Sequence, residues 1–306
     1  MAARKVGSRD SRSHQFGGDW TTRKLDVLAA YLQGYLTALQ KQPFRKLYID
    51  AFAGTGYRDR RVDRDGASSP EFPELAEAAP QDLLDGSARR ALKIDQAFDL
   101  YLFIERSAKR CAALDRLKGE FPDRGDRIQV RRGDANKEIQ RLCKTEDWRA
   151  QRAVLFLDPY GMEVRWETIQ AVAATHAIDL WLLVPLGMGL NRVLTQTGQM
   201  PPEWAARLDE FLGTGEWRSE LYRPRKEQQQ NLFEDEGERR VKAGMDTIGK
   251  YFNDRLKPLF PGVVEQPGAL RNSSNAPLYL LCFAASNQKG APIAVRIAEH
   301  LMKDLR

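Results

Sequence analysis

Cysteine and histidine are both scarce in this 306-residue chain, at three of each. Cys111, Cys143 and Cys282 stand far apart, as do His14, His176 and His300, so no spacing of zinc or iron–sulfur ligands occurs and no metal is expected. A secreted disulfide scaffold is excluded on the same ground, and scattered thiols fit a reducing cytoplasm. No run approaches the roughly 18 apolar residues of a membrane span. The first residues, Met1-Ala2-Ala3-Arg4-Lys5-Val6-Gly7-Ser8, contain no apolar stretch of the secretory kind. With 42% hydrophobic and 29% charged residues, the chain reads as an ordinary globular protein able to bury its own core.

The charge is unevenly spread. Residues 1–64 hold 13 Lys and Arg against 6 Asp and Glu, whereas residues 65–306 hold 35 against 36. The net charge of +6 therefore comes from the first fifth of the chain. Arg58, Arg60, Arg61 and Arg64 form one local cluster, and Arg223, Arg225 and Lys226 another. Each is expected to contact the phosphates of a nucleic acid, although solvated surface explains such clusters equally well.

Residues 1–19, rich in Arg, Ser and Gly, read as a flexible basic arm. From Thr21 or Thr22 to about Gln40, Leu25, Leu28, Leu32, Leu36 and Leu39 mark one helical face, with Tyr31 and Tyr35 flanking it. Strands and helices then alternate. Strands are expected over 46–50, 100–105, 128–131, 153–158 and 178–185, with helices near 87–94, 107–117, 137–143 and 166–176. The pattern changes over 188–268, where helices are expected near 202–213 and 240–257. A strand over 278–284 and a helix over 291–305 close the chain. This alternation predicts an α/β fold, a Rossmann-like, doubly wound and mostly parallel sheet. Its core is 20–187 with 269–306, and 188–268 is a helical and loop insertion for target recognition or partner binding.

In such a sheet ligands lie beyond the carboxyl ends of the strands. Four acids fall at those ends. Asp50 precedes the turn Gly54-Thr55-Gly56, Glu105 ends the second strand, Asp134 follows the third, and Asp158-Pro159-Tyr160-Gly161 follows the fourth. Packing alone does not favour unpaired carboxylates there. A nucleoside cofactor gives each a task. Glycines admit close backbone approach, Glu105 accepts from ribose hydroxyls, and Asp134 accepts from an adenine amine. Asp50 bonds the turn or a ligand ammonium. A dinucleotide site is disfavoured, because Tyr57-Arg58-Asp59 stands where a third glycine and a helix start are needed. A P-loop is excluded, since no Gly-Lys-Ser/Thr follows the turn.

These ordered motifs resemble the class I S-adenosylmethionine-dependent methyltransferases. Asp50-Ala51-Phe52-Ala53-Gly54-Thr55-Gly56 is similar to their first motif, and Asp158-Pro159-Tyr160-Gly161 to the fourth motif of enzymes that methylate exocyclic amines. Pro-Tyr-Gly replaces the usual Pro-Pro-Tyr and is closer to the Asp-Pro-Phe-Gly of tRNA guanine-N2 methyltransferases. Over most of its length the chain resembles the three-Cys-motif partner family. The resemblance rests on those two motifs, the leucine-rich first helix, Gly86-Ser87, Phe103-Ile104-Glu105, Gly133-Asp134-Ala135-Asn136, Pro277-Leu278-Tyr279-Leu280 and Ala285-Ser286-Asn287.

The resemblance implies S-adenosylmethionine as cofactor, held by Asp50, Phe52, Ala53, Gly54, Gly56, Glu105, Arg106, Asp134 and Ala135. It implies that Asp158 and the Pro159 carbonyl accept hydrogen bonds from a target amine while Tyr160 stacks on a nucleic-acid base. It also implies a separate three-Cys-motif partner protein related to phage proteins. Two other functions fit the sequence: a non-catalytic methyltransferase-like protein that binds nucleic acid or a protein partner, and a methyltransferase of small molecules or proteins.

Overall fold

The computed structural model describes residues 18–53, 86–224, 240–272 and 274–305. Five parallel strands form the centre of the fold: β1 (Arg45–Ala51), β2 (Leu100–Glu105), β3 (Ile128–Arg132), β4 (Gln151–Leu157) and β5 (Ile178–Val184). Their order is β3-β2-β1-β4-β5, so the chain winds outward in both directions from the β1–β4 junction. The remaining strands of the eight-stranded sheet are β8 (Gly262–Val263), β9 (Gly268–Arg271) and β10 (Pro277–Ala285). β10 runs antiparallel to β5, with Cys282 opposite Leu182. β8 and β9 both pair with the outer edge of β10, as two pieces of one interrupted strand. The result is a mixed α/β fold around a mostly parallel sheet.

Strand composition explains the layering. All six residues of β2 and all seven of β5 are buried, as in strands covered on both faces. Side chains alternate between faces along a strand. Leu47, Ile49, Leu155 and Leu182 meet one helical layer, made of α4 (Ala135–Thr145), α5 (Trp166–Ala174), α7 (Pro202–Leu212) and α9 (Met245–Leu256). Tyr48, Phe103, Phe156, Trp181 and Phe283 meet the other layer. That layer holds α1 (Gly18–Ala38), α2 (Ser87–Lys93), α3 (Ala108–Glu120) and α10 (Ala291–Leu301). The second face is aromatic: the Tyr31 ring lies 5.1 Å from Trp181 and 5.0 Å from Phe283. The short helices α6 (Asn191–Val193), entered through a π-turn at Leu186–Leu190, and α8 (Trp217–Glu220) connect the larger ones. β6 (Tyr222–Pro224) and β7 (Arg240–Lys242) form a separate antiparallel ribbon.

Helix α1 begins at Gly18, ahead of the predicted Thr21 or Thr22, and buries the whole leucine stripe as far as Leu36 together with Tyr31 and Tyr35. It is pinned at two levels. Lys24 Nζ is 2.5 Å from Asp158 Oδ2 beyond the carboxyl end of β4. The Tyr31 hydroxyl donates to Asp179 Oδ2 at 2.6 Å near the start of β5. Seven residues of helix span about 10 Å, so α1 crosses the sheet from its carboxyl edge toward its amino edge.

Several boundaries differ from the sequence expectation. Residues 240–242 form β7, and the following helix starts only at Met245, because Arg240–Lys242 pair with Tyr222–Pro224. Gly262–Val263 already join the sheet. The final helix stops at Leu301 and gives way to a 3-10 turn at Lys303–Leu305. Gly213 ends α7 with φ +67°, and a Cβ there would sit 2.1 Å from the Trp166 ring, so only glycine fits.

Candidate functional site

The parallel register brings the acidic strand ends to one edge. Asp50 lies level with Phe103 of β2 and Phe156 of β4, so Glu105 and Asp158, two residues further along each neighbouring strand, end beside it. Immediately after β1 the backbone is strained. Phe52 has φ +74°, rare for a bulky residue, and the amides of Phe52 and Ala53 both donate to the Ile104 carbonyl at 3.1 Å. This forced turn at Phe52 and Ala53 ends β1.

Asp50 is fully buried on the α1 face. Its Oδ2 accepts from the Tyr48 hydroxyl at 3.2 Å, while Oδ1 is buried without a hydrogen-bond partner among the described residues. Burial pushes the carboxyl up to about 7, and Asp158 adds to the rise. Hydrogen bonds from Ser87 and Tyr48 and the charge of Lys24 oppose it. A buried carboxyl raised by burial, with one oxygen still open, is a group that a cationic partner would stabilise.

Glu105 is buried, and local donors orient it. Oε1 accepts the Ser107 amide at 2.6 Å and lies 3.2 Å from Arg110 Nε. Arg106 is exposed, and its carbonyl accepts from Arg132 Nε at 3.3 Å. Asp134 is exposed and caps α4, its Oδ1 accepting the Lys137 amide at 3.0 Å. The sequence reading gave Asp134 a ligand role alone, and helix capping is a structural reason for an acid at this position. Ala135 is buried as the first residue of α4.

Asp158 is half-buried, Pro159 buried and Tyr160 half-buried, with the Tyr160 amide 3.3 Å from Glu163 Oε2. Asn136 secures the end of this loop. Its Nδ2 donates to the Glu163 carbonyl at 2.8 Å, and its Oδ1 accepts from the Arg165 amide at 2.9 Å and the Thr168 hydroxyl at 2.8 Å.

Two aromatic rings from distant parts of the chain complete the surroundings of Asp158. Trp20 of α1 stacks on Tyr279 of β10 at 5.1 Å and 25°. Tyr279 is buried, and burial holds its hydroxyl well above the usual range, reinforced by the charges of Asp158 and Tyr160. Lys24 Nζ sits 5.2 Å from the centre of the Trp20 ring while it pairs with Asp158. The site is an acid with aromatic walls and a cation inside it.

Sequence reasoning missed Lys24, Trp20 and Tyr279. One signal was present: Lys24 lies four residues before Leu28, on the buried stripe, where an unpaired cation is costly. Trp20 and Tyr279 carried no such mark. Of the predicted nucleic-acid contacts only Arg223 is described; it lies exposed on β6, in the ribbon rather than in the sheet that carries Asp158. Gly54, Gly56, Arg58, Arg60, Arg61, Arg64, Arg225 and Lys226 lie outside the described residues. Among the described residues no group of three or more His, Cys, Asp or Glu is placed to hold a metal. No described helix is long and apolar enough to cross a membrane.

No protein-family model and no curated protein matches the chain. Among solved structures, the Legionella pneumophila protein LPL1258, of the family model DUF519, aligns over 94% of this chain and 93% of its own, with a TM-score of 0.45 and 11% identity.

Proposed function

We propose that the protein is an S-adenosylmethionine-dependent methyltransferase acting on the exocyclic amine of a nucleic-acid base. The observation that carries this reading is Asp158-Pro159-Tyr160 leaving β4 beside the end of β1, with the carboxylate among Trp20, Tyr160 and Tyr279. A planar amine can donate to such an acceptor while its base stacks on Tyr160. Two features of the sheet agree. Its order turns at the β1–β4 junction, the crevice where open α/β sheets bind ligands. Its antiparallel β10, inserted between β5 and the outer strand, suits a class I methyltransferase better than an all-parallel dinucleotide fold.

The residues present fit the cofactor. Asp50 offers a buried, unpartnered oxygen beside the strained Phe52 turn, suited to the cationic end of the ligand. Glu105, oriented by Ser107 and Arg110, suits ribose hydroxyls, and Asp134 and Ala135 at the start of α4 suit the adenine. When bound, the cofactor supplies a methyl group: the C–S bond breaks with its electron pair left on sulfur, an N–C bond forms, and the amine gives up one proton.

The chain's own part is positioning. Asp158 accepts a hydrogen bond from the amine and receives its departing proton, the Pro159 carbonyl accepts from the second N–H, and Tyr160 stacks on the base. A base drawn from a duplex loses its stacking partners, and Tyr160 replaces part of that contact. The three-Cys-motif protein remains the proposed partner from the sequence resemblance.

Calorimetric titration with S-adenosylmethionine, followed by transfer of labelled methyl to DNA, RNA and protein fractions, tests the reading. Binding by the wild type, with transfer to nucleic acid lost in Asp158→Ala, is the expected result. Absence of cofactor binding, or transfer confined to protein, overturns it.

A further inference from the structure

Lys24 is the unexplained group of this site. Its side chain is only 7% exposed, yet an ammonium carries three N–H donors. Asp158 Oδ2 is its one hydrogen-bond acceptor among the described residues, and the Trp20 face takes up part of the remaining charge. A nearly buried cation keeps such unused donors only at a cost, unless a ligand supplies the acceptor. The site thus offers two unlike groups side by side, a carboxylate that accepts and an ammonium that donates.

Resting on the methyltransferase reading, we propose that Lys24 reads the base: it holds Asp158 in orientation and donates to the ring nitrogen beside the target amine, which selects adenine or cytosine over guanine. The amine of adenine neighbours the acceptor N1, and that of cytosine neighbours the acceptor N3. Either edge places an N–H donor against Asp158 and a lone pair against Lys24. The guanine amine neighbours N1–H, which turns a donor toward the ammonium and leaves both unpaired. Its other neighbour, N3, lies on the sugar side, where the ribose or deoxyribose crowds the approach. Loss of one arm of a bidentate base contact changes discrimination by roughly 10- to 100-fold. Tyr160 stacks on any base face and does not discriminate.

The experiment uses the full chain and labelled S-adenosylmethionine. Three oligonucleotide sets carry adenine, cytosine or guanine as their sole amine-bearing base, in DNA and in RNA form, and products are read as methylated nucleosides by mass spectrometry. Wild type is expected to favour adenine or cytosine over guanine by about 10- to 100-fold. Lys24→Met, which keeps the side-chain length, is expected to lower kcat/KM on the favoured base about 10- to 100-fold and to narrow its margin over guanine, at saturating cofactor. Lys24→Arg is expected to recover part of the loss.

Guanine methylated as well as the other bases, or unchanged kcat/KM in Lys24→Met, overturns this inference while the methyltransferase reading stands. No transfer to any base by the wild type overturns both. If Lys24→Met fails to bind the cofactor, the base ranking of the wild type decides the matter alone.

Discussion

Replacing Asp179 with asparagine is expected to stabilise the protein, and to do so most at neutral and alkaline pH. Asp179 is buried near the start of β5, on the face covered by α1. Burial pushes its carboxyl from 3.8 up to about 7, against the opposing pull of the Tyr31 hydrogen bond and the Arg152 charge. The folded state therefore holds a proton that the unfolded chain has already released between pH 4 and 7. Stability falls across that interval as pH rises, and is independent of this group above about 7 and below about 4. Roughly three pKa units at 1.36 kcal/mol each amount to a penalty of about 4 kcal/mol at pH 8. The penalty shrinks to about 2 kcal/mol near pH 5. The asparagine side chain would carry no charge and still accept the Tyr31 hydroxyl at the position where Oδ2 sits now. For a chain of this size 1 kcal/mol corresponds to roughly 1.5 °C. Asp179→Asn should thus raise Tm by about 6 °C at pH 8, and by about half of that near pH 5. Urea denaturation at both pH values with an unchanged slope gives the same comparison in free energy. A gain that does not vary with pH, or a loss at pH 8, would refute the reasoning.

Three further outcomes follow from the geometry. Asn136→Ala removes three hydrogen bonds of a buried side chain, to Glu163, Arg165 and Thr168; denaturation should show a loss of about 2–4 kcal/mol, and protease should cut the loop after Asp158 faster. Gly213→Ala forces a left-handed alanine into the Trp166 ring, so soluble yield should collapse or stability drop by about 4 kcal/mol or more; wild-type behaviour would contradict the packing described. Asp50 gains its charge as pH rises through about 7, so affinity for a cationic cofactor should increase between pH 6 and 8. The same titration of Asp50→Asn should be flat, and a parallel rise in both proteins would assign the effect to another group.

Much of the sheet was legible because its strands are local, apolar and periodic. Leu100–Glu105 and Ile178–Val184 are buried on both faces, and their runs of Leu, Ile, Phe and Trp say so without any partner. β8 and β9 were not legible. Two and four residues long, they carry no period of their own and exist because β10 offers them an edge. Arg240–Lys242 looked like the start of a helix because strand pairing with Tyr222–Pro224 is invisible to a local pattern. Within the site, Asp50, Glu105, Asp134 and Asp158 announced themselves as acids at strand ends, but their surroundings did not. Helix capping by Asp134 and the local donors on Glu105 depend on how the chain turns after each strand.

The sequence by itself determined the alternation of strands and helices, the acids that close four successive strands, and the leucine face of the first helix. Each is written in residues a few positions apart, where backbone periodicity alone decides which side chains share a face. The tertiary structure decided what surrounds Asp158. Lys24 is 134 positions away, and Trp20 and Tyr279 lie on the first helix and the last strand. They meet because α1 lays its aromatic and leucine face across the sheet and β10 returns antiparallel beside β5. A cation on that stripe costs nothing in the isolated helix, where water solvates it; folding buries it and supplies the carboxylate that pairs with it.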